Sequence, residues 1–387
     1  LTQHQEGPLV ERAYWLAWSQ ISGIGPILIR RLHHYFGTLA AAWKADRAEL
    51  GAVEGFGVQT IEVVFQERQR IEPEDFLQQH ERSNPTFWTP GDADYPQLLL
   101  EVPDPPPVLY YKGCVDLLEN QGIIPAIAIV GTRQPSDYGR KWTRKLSTTL
   151  AQAGYTIVSG LAAGVDTEAH QSCLATRGRT IAVLGTGVDV IYPWKNRDLA
   201  QQISQSGLLL SEYPAGTQPE KVNFPRRNRI IAGLSRATLV MEAPSRSGSL
   251  ITSRLANEYG REVYALPGSL DNDRARGCLE LLNQGANLIL GDQELLEALG
   301  ELPTLQRHPA RSNATNQLSL LSDTFSPPTD LEPTLQTVLQ AVSLEPSTLD
   351  RIVEQAGLAT GTVLSALSQL ELMGLVSQLP GMRYQKG

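Results

Sequence analysis

Apolar and polar positions along the chain change their spacing from one region to the next, and each spacing predicts a different kind of structure. Up to about residue 84 the spacing is helical. Tyr14, Leu16, Ile21 and Ile24 precede Gly25-Pro26, and Ile27 to Phe36 carries an apolar stripe that breaks at Gly37. A similar unit follows from Leu50 through Val53-Glu54-Gly55-Phe56-Gly57 to Ile61 and Val64. Pro85 to Gly113 is dense in proline and should run extended as a connector. Short apolar runs then alternate with helix-length stretches: Ala126 to Val130, Thr156 to Val158, Thr180 to Leu184, Leu208 to Leu210, Thr238 to Val240 and Val263 to Ala265. That alternation predicts a parallel sheet covered by helices on both faces.

From Gly300 to Asp330 Ser, Asn, Gln, Thr and Pro dominate without periodicity, which predicts a flexible linker. Beyond it, Leu335, Val338, Leu339 and Val342 stripe one helix, Leu349, Ile352 and Val353 a second, and Val363, Leu364, Leu367 and Leu370 a third; Val376 and Pro380-Gly381 supply a hairpin. This unit resembles a winged helix. The expected fold class is therefore α/β, an extended Rossmann-like core (85–300) with a small all-α domain before it (1–84, SAM-like or helix-hairpin-helix-like), a linker (301–330) and a winged-helix domain (331–387). The paired apolar-Gly-apolar-Gly turns of the first domain suit contact with phosphate and a purely structural joint equally well.

With 387 residues, 41% of them hydrophobic, the chain can fill two or three cores. Cys114, Cys173 and Cys278 are far apart and form no CxxC pair, so the expectation is buried reduced thiols, with no disulfide framework and no metal site. No apolar run reaches the roughly 20 residues that span a bilayer, and Leu1 to Arg12 lacks the pattern of an export signal, so a cytoplasmic location is expected. The net charge of −8 argues against a polyanionic partner until it is mapped. Between Pro125 and Ile230 there are 13 Lys and Arg against 7 Asp and Glu, a net of +6, while the remainder of the chain carries −14. A basic segment inside an acidic chain predicts a confined anion-binding face.

In an open parallel sheet, ligands sit beyond the carboxyl ends of the strands. The segments there are Val130-Gly131-Thr132-Arg133, Ser159-Gly160 through Gly164 to Asp166, Gly185-Thr186-Gly187, Ser211-Glu212, Asn223 to Arg229 and Ser247-Gly248-Ser249. Their glycines let backbone approach a phosphate, and helix N-termini add partial positive charge. No GxGxxG follows a strand and no GxxxxGK[ST] occurs, so neither a dinucleotide nor a triphosphate is indicated, and no cofactor is expected. Arg133, Lys195, Lys221, Arg226, Arg227 and Arg229 suit phosphate oxygens. Asp166, Glu212 and Glu242 could instead claim Arg227 or Arg229 as internal partners. Phe224 and Tyr192 could stack bases or sit in the core. Asp166 and His170, four apart, allow an acid/base reading, but Asp166 equally caps or orients the loop, and no activated nucleophile stands beside them.

AIVGTR with YG across Ala128 to Gly139, VSGLAAGVDTEAH from Val158, AVLGTGVDVIYPWKN from Ala182, SEYPAG from Ser211, NFPRRNRIIAGLS from Asn223 and EAPSRSGSLITSRLANEYGREVYALPGS from Glu242 together resemble the DNA-processing protein A (DprA/Smf) family. The likeness runs from about Tyr95 to Ala286, and both flanking regions look like that family's accessory domains. It implies non-catalytic binding of single-stranded DNA, protection of incoming strands and loading of RecA in natural transformation, with single-strand-binding protein as a further partner, and homodimer formation. Read that way, Arg133, Lys195, Lys221, Arg227 and Asn228 take the positions of strand-contacting residues; together with Gly131, Thr132, Ser159, Gly160, Gly164, Phe224 and Arg226 from the strand-end segments they make up the expected strand-binding set. Lys195 stands one place later than the lysine expected after Tyr192-Pro193, where this chain has Trp194. The segment from Gly277 to Leu290 is similar to the family's self-association face, with Leu279, Leu282 and Leu288 as its apolar residues; Ala275 and Leu279 depart from the usual Ser and Asn.

Two competing readings remain. One is a phosphoribohydrolase-like nucleotide-processing enzyme on a Rossmann-type fold, which would carry a PGGxGT-type loop where this chain has Ser-Gly-Leu-Ala-Ala-Gly. The other makes the C-terminal unit the main DNA reader, although its third helix, from about Thr360 to Met373, is nearly uncharged.

Overall fold

The computed structural model describes residues 8–300, 333–343, 347–372, 375–379 and 383–386. The expected linker and the Pro380-Gly381 turn lie outside these residues. The chain divides into two compact units, Leu1–Arg307 and His308–Gly387, each treated separately below.

Nine strands form the sheet of the first unit: β1 (Phe87–Trp88), β2 (Leu109–Gly113), β3 (Ala126–Val130), β4 (Thr156–Ser159), β5 (Thr180–Leu184), β6 (Leu208–Ser211), β7 (Ala237–Val240), β8 (Glu262–Ala265) and β9 (Asn287–Leu288). Their order is β1-β2-β6-β5-β4-β3-β7-β8-β9. From β6 to β9 all pairs are parallel; β2 joins β6 antiparallel, and β1 joins β2 antiparallel. The six apolar runs of the sequence are the six central strands. The proline-dense connector does more than was expected of it. It adds β1, β2 and the short helix Gln97–Glu101, so the edge of β6 is covered by paired backbone.

Every residue of β3 is buried, because helices cover both faces of the sheet. Ala126, Ala128 and Val130 pack with Ile230, Ile231 and Ala256, from the helices Asn223–Leu234 and Gly248–Glu258. Ile127 and Ile129 point the other way, onto Leu146, Leu150 and Ala169 of the helices Asp137–Gln152 and Val165–Ala175. The chain moves outward from β3 through β4 and β5 to β6, then returns to β3's other side with β7. The strand order therefore reverses between β3 and β7, where the following loops diverge and leave a crevice.

The N-terminal helices pack around Trp18, which is fully buried, meets Trp43 edge-on at 5.1 Å and donates its indole N–H to Leu39 O at 3.1 Å. Gly25 and Gly57 stand immediately before the helices Pro26–Phe36 and Val58–Arg68, as the two apolar-Gly turns imply. In the second unit the helices Pro333–Ala341, Leu349–Ala356 and Thr360–Leu372 enclose a core with Val338, Ile352, Val363 and Leu367. β11 (Val376–Leu379) and β12 (Arg383–Lys386) make the hairpin, and β10 (Ser347–Thr348) adds a third strand to β12.

The cysteines differ in part from expectation. Cys173 and Cys278 are buried, which pushes each thiol up to about 12, but Cys114 is exposed. It follows β2 at the rim, with its thiol 3.3 Å from Gln205 O. Among the described residues no helix is long and apolar enough to cross a membrane, and no group of His, Cys, Asp and Glu could hold a metal ion.

Candidate functional site

At the strand-order reversal lies a cleft of about 540 Å³. Its walls are the segment after β3, from Val130 to Arg133; the start of the helix Asn223–Leu234, with Lys221, Phe224, Arg227 and Asn228; and Pro244 to Ser249, ahead of the helix Gly248–Glu258. A smaller recess of about 150 Å³ shares Arg133, Ala162, Tyr192, Phe224 and Arg227 with it and adds Gly160.

The loop after β4 is shaped from inside. Asp166, buried in the first turn of the helix Val165–Ala175, accepts the N–H of Gly160 at 3.1 Å and of Ala162 at 3.2 Å. Burial raises its pKa, and the Arg227 guanidinium pulls in the opposite direction. Asp166 thus orients a loop, one of the two roles open to it. His170 is also buried; its Nδ1 lies 2.7 Å from Thr180 Oγ1, and desolvation, helped by Arg227, lowers its pKa to about 3. His170 is wholly buried, whereas Asp166 lines the cleft with its carboxylate turned to the loop N–H groups.

Gly131, Gly160 and Gly164 answer to the chain itself, whereas Gly248, on the cleft wall, has open space where a side chain would stand. A Cβ on Gly131 would lie 2.7 Å from Val165 Cγ2 and 2.9 Å from Glu242 O, and one on Gly160 would lie 2.6 Å from the Arg227 guanidinium. Gly164, at φ +86°, would press on Thr132 O at 2.5 Å. The tight turns exist because these segments pack against one another.

Arginines divide into two groups. Arg227 is 5% exposed and donates Nη1 to Gly160 O at 2.7 Å and to Val183 O, tying the ends of β4 and β5 to the helix Asn223–Leu234. Burial lowers its pKa to about 10. Arg229 is held by Glu212 and by Asp104, whose carbonyl it meets at 2.6 Å. It belongs to the internal partnerships the sequence left open. By contrast Arg133, Lys195, Lys221, Arg226 and Arg246 are exposed, and among the described residues none of them is in an ion pair. The basic surplus of the segment is not all at the cleft, since Arg140 and Arg144 pair with Glu168, Lys145 with Asp292 and Arg179 with Glu119.

Of the residues singled out from sequence, Gly131, Thr132, Arg133, Lys221, Phe224, Arg227 and Asn228 line the cleft, and Gly160 lines the recess. Ser159, Gly164, Lys195 and Arg226 line neither. Ser159 is wholly buried and donates its hydroxyl to Ile129 O at 2.6 Å. Arg246 was missed; its signal was a basic residue directly before the Ser247 that caps a helix facing the cleft. Tyr192 and Phe224 stand together, ring centroids 5.5 Å apart. On the far edge of the sheet Leu288 is exposed in β9, Leu282 packs partly on the core and Leu279 is half-buried.

The chain is similar to known proteins over most of its length. Residues 86–300 match the family model of DNA recombination-mediator protein A, and residues 323–382 match that of the DprA winged helix domain. Protein Smf of Synechocystis sp. is 53% identical across 97% of this chain and 99% of its own. DNA processing protein DprA of Streptococcus pneumoniae is 45% identical across 60% of this chain and 80% of its own. The X-ray structure of DprA from S. pneumoniae, 37% identical, superposes with a TM-score of 0.65 over 75% of this chain and 98% of that one. A structure of DNA processing protein A from Helicobacter pylori, concerned with its single-stranded DNA binding mode, is 35% identical with a TM-score of 0.50 over 55% of this chain and 95% of that one.

Proposed function

Because this chain belongs to the DNA recombination-mediator protein A (DprA/Smf) family, we propose that its cleft grips the phosphate backbone of single-stranded DNA without altering it chemically. The observation that carries this reading is the set of exposed cations at the rim, Arg133, Lys221 and Arg246, without an ion-pair partner among the described residues, around the neighbouring rings of Tyr192 and Phe224. Cations of this kind neutralise phosphates, and the rings offer faces to successive bases. The helix N-termini at Asn223 and Gly248 add partial positive charge to the same walls. The titratable carboxylate lining the cleft, Asp166, is committed to loop N–H groups, which supports binding over turnover.

Strand protection, loading of RecA, contact with single-strand-binding protein and self-association through the edge that carries Leu279, Leu282 and Leu288 complete the proposal. An unpaired β9 edge bearing the exposed Leu288 supports the last of these. The test is a fluorescence-anisotropy titration of an oligothymidylate with the wild type and with Arg133→Ala/Lys221→Ala. The double variant should bind weakly, and its log-log salt slope should shrink by about 0.7 for each phosphate that is no longer neutralised. Unchanged affinity in the double variant refutes the proposed face.

A further inference from the structure

Of the chain's six tryptophans, Trp15, Trp18, Trp43 and Trp88 are buried and Trp142 is half-buried, whereas Trp194 is 70% exposed. A bare indole is an unusual use of so much apolar surface. It is nonetheless firmly placed. Trp194 opens the short turn Trp194–Asn196, and Asn196, buried, donates Nδ2 to Leu161 O at 2.8 Å and to Thr167 Oγ1 at 2.9 Å. Those bonds fix the turn to the loop after β4, whose Gly160, Ala162 and Ala163 line the recess beside the cleft. The Arg197 guanidinium lies 4.7 Å from the indole centroid, over one face of the ring.

Tyr192 and Pro193, immediately before this turn, line the same recess with Phe224. Two residue steps separate Tyr192 from Trp194, a reach of about 7 Å at most. Exposure rises along Phe224, half-buried in the cleft wall, Tyr192 and Trp194, and Lys195 and Arg197, both exposed, flank the last of them in the chain. We propose that Trp194 is a second base-stacking platform outside the cleft, with Lys195 and Arg197 meeting the neighbouring phosphates. The platform takes a nucleobase of a single strand after that strand passes Tyr192. Stacking needs only a π face, so it accepts any base, and Arg197 supplies charge without leaving the ring. This inference rests on the single-strand reading of the cleft. It also gives Lys195, which does not line the cleft, a place on the path.

The experiment titrates the full chain with oligothymidylates from about 4 to about 16 nucleotides. Wild type, Trp194→Ala and Trp194→Phe are compared, with affinity read by anisotropy and the exposed indole followed as the part of the emission that both variants lack. Trp194→Ala should match the wild type on the shortest strand and bind the longest about tenfold more weakly. Trp194→Phe should recover most of that deficit. Long strands should quench the wild-type emission, and a long strand made abasic beyond the segment that fills the cleft should bind wild type and Trp194→Ala equally. Equal affinities of wild type and Trp194→Ala for the long strand, with no change in emission, overturn the platform while leaving the cleft reading intact. A wild type that binds no strand of any length overturns both.

Discussion

Replacing Arg227 by alanine should unfold the cleft rather than merely weaken its grip. Arg227 was among the candidate strand-binding residues, yet its guanidinium is buried in the cleft wall, donates to Gly160 O and Val183 O, and attracts the Asp166 carboxylate only through space. Alanine leaves two carbonyls at the ends of adjacent strands without their donor and removes the attraction that favours the ionised form of Asp166. Each abandoned carbonyl costs about 1–3 kcal/mol, so the two together cost about 2–6 kcal/mol. For a unit of this size that lowers the melting temperature by on the order of 10 °C. The pH dependence has a defined sign. Asp166 is raised from 3.8 by burial and restrained by Arg227, so removing the guanidinium raises Asp166 further. The native state then holds a proton that the unfolded aspartate releases above 3.8, and stability falls as pH rises through that widened window. His170, freed from the same cation, is depressed less, which reduces its acid penalty. Both effects make the gap between wild type and Arg227→Ala widen from acid to neutral pH. Calorimetric melts at several pH values, beside oligothymidylate binding well below the variant's melting point, measure it. If Arg227→Ala melts with the wild type yet loses binding as fully as Arg133→Ala/Lys221→Ala, the guanidinium reaches the strand and the buried assignment is wrong.

His170→Asn should flatten the acid limb of the stability curve. Neutral in the native state with a pKa of about 3, His170 contributes stability above its ordinary 6.5 that is lost as pH falls toward 3, and melts across that interval show whether the asparagine variant loses less. A chain ending at Asp330 should keep its affinity for oligothymidylate in the same anisotropy assay, because every residue lining the cleft lies in the first compact unit; a large drop would place strand-binding residues in the second.

Hydrophobic spacing alone located the six central strands, both apolar-Gly turns and the three C-terminal helices, since periodicity is a local property and burial on both faces of a sheet writes continuous apolar runs. It also pointed to the rim where the cleft lies, because glycines and cations after parallel strands gather where the strands end. The division of labour among the arginines was legible only as a set of alternatives, of which Glu212 with Arg229 is one the structure shows. Arg133, Arg227 and Arg229 are chemically identical, and the difference between an exposed cation and a structural one is made by partners far along the chain: Gly160 and Val183 for Arg227, Asp104 and Glu212 for Arg229. The glycines followed the same rule, their missing side chains making room for Val165, Glu242 and Arg227. Sequence determined which residues could meet a polyanion; only the folded chain decided which of them its own carbonyls and carboxylates had already claimed, because a buried charge must be matched by whatever the tertiary structure brings within reach.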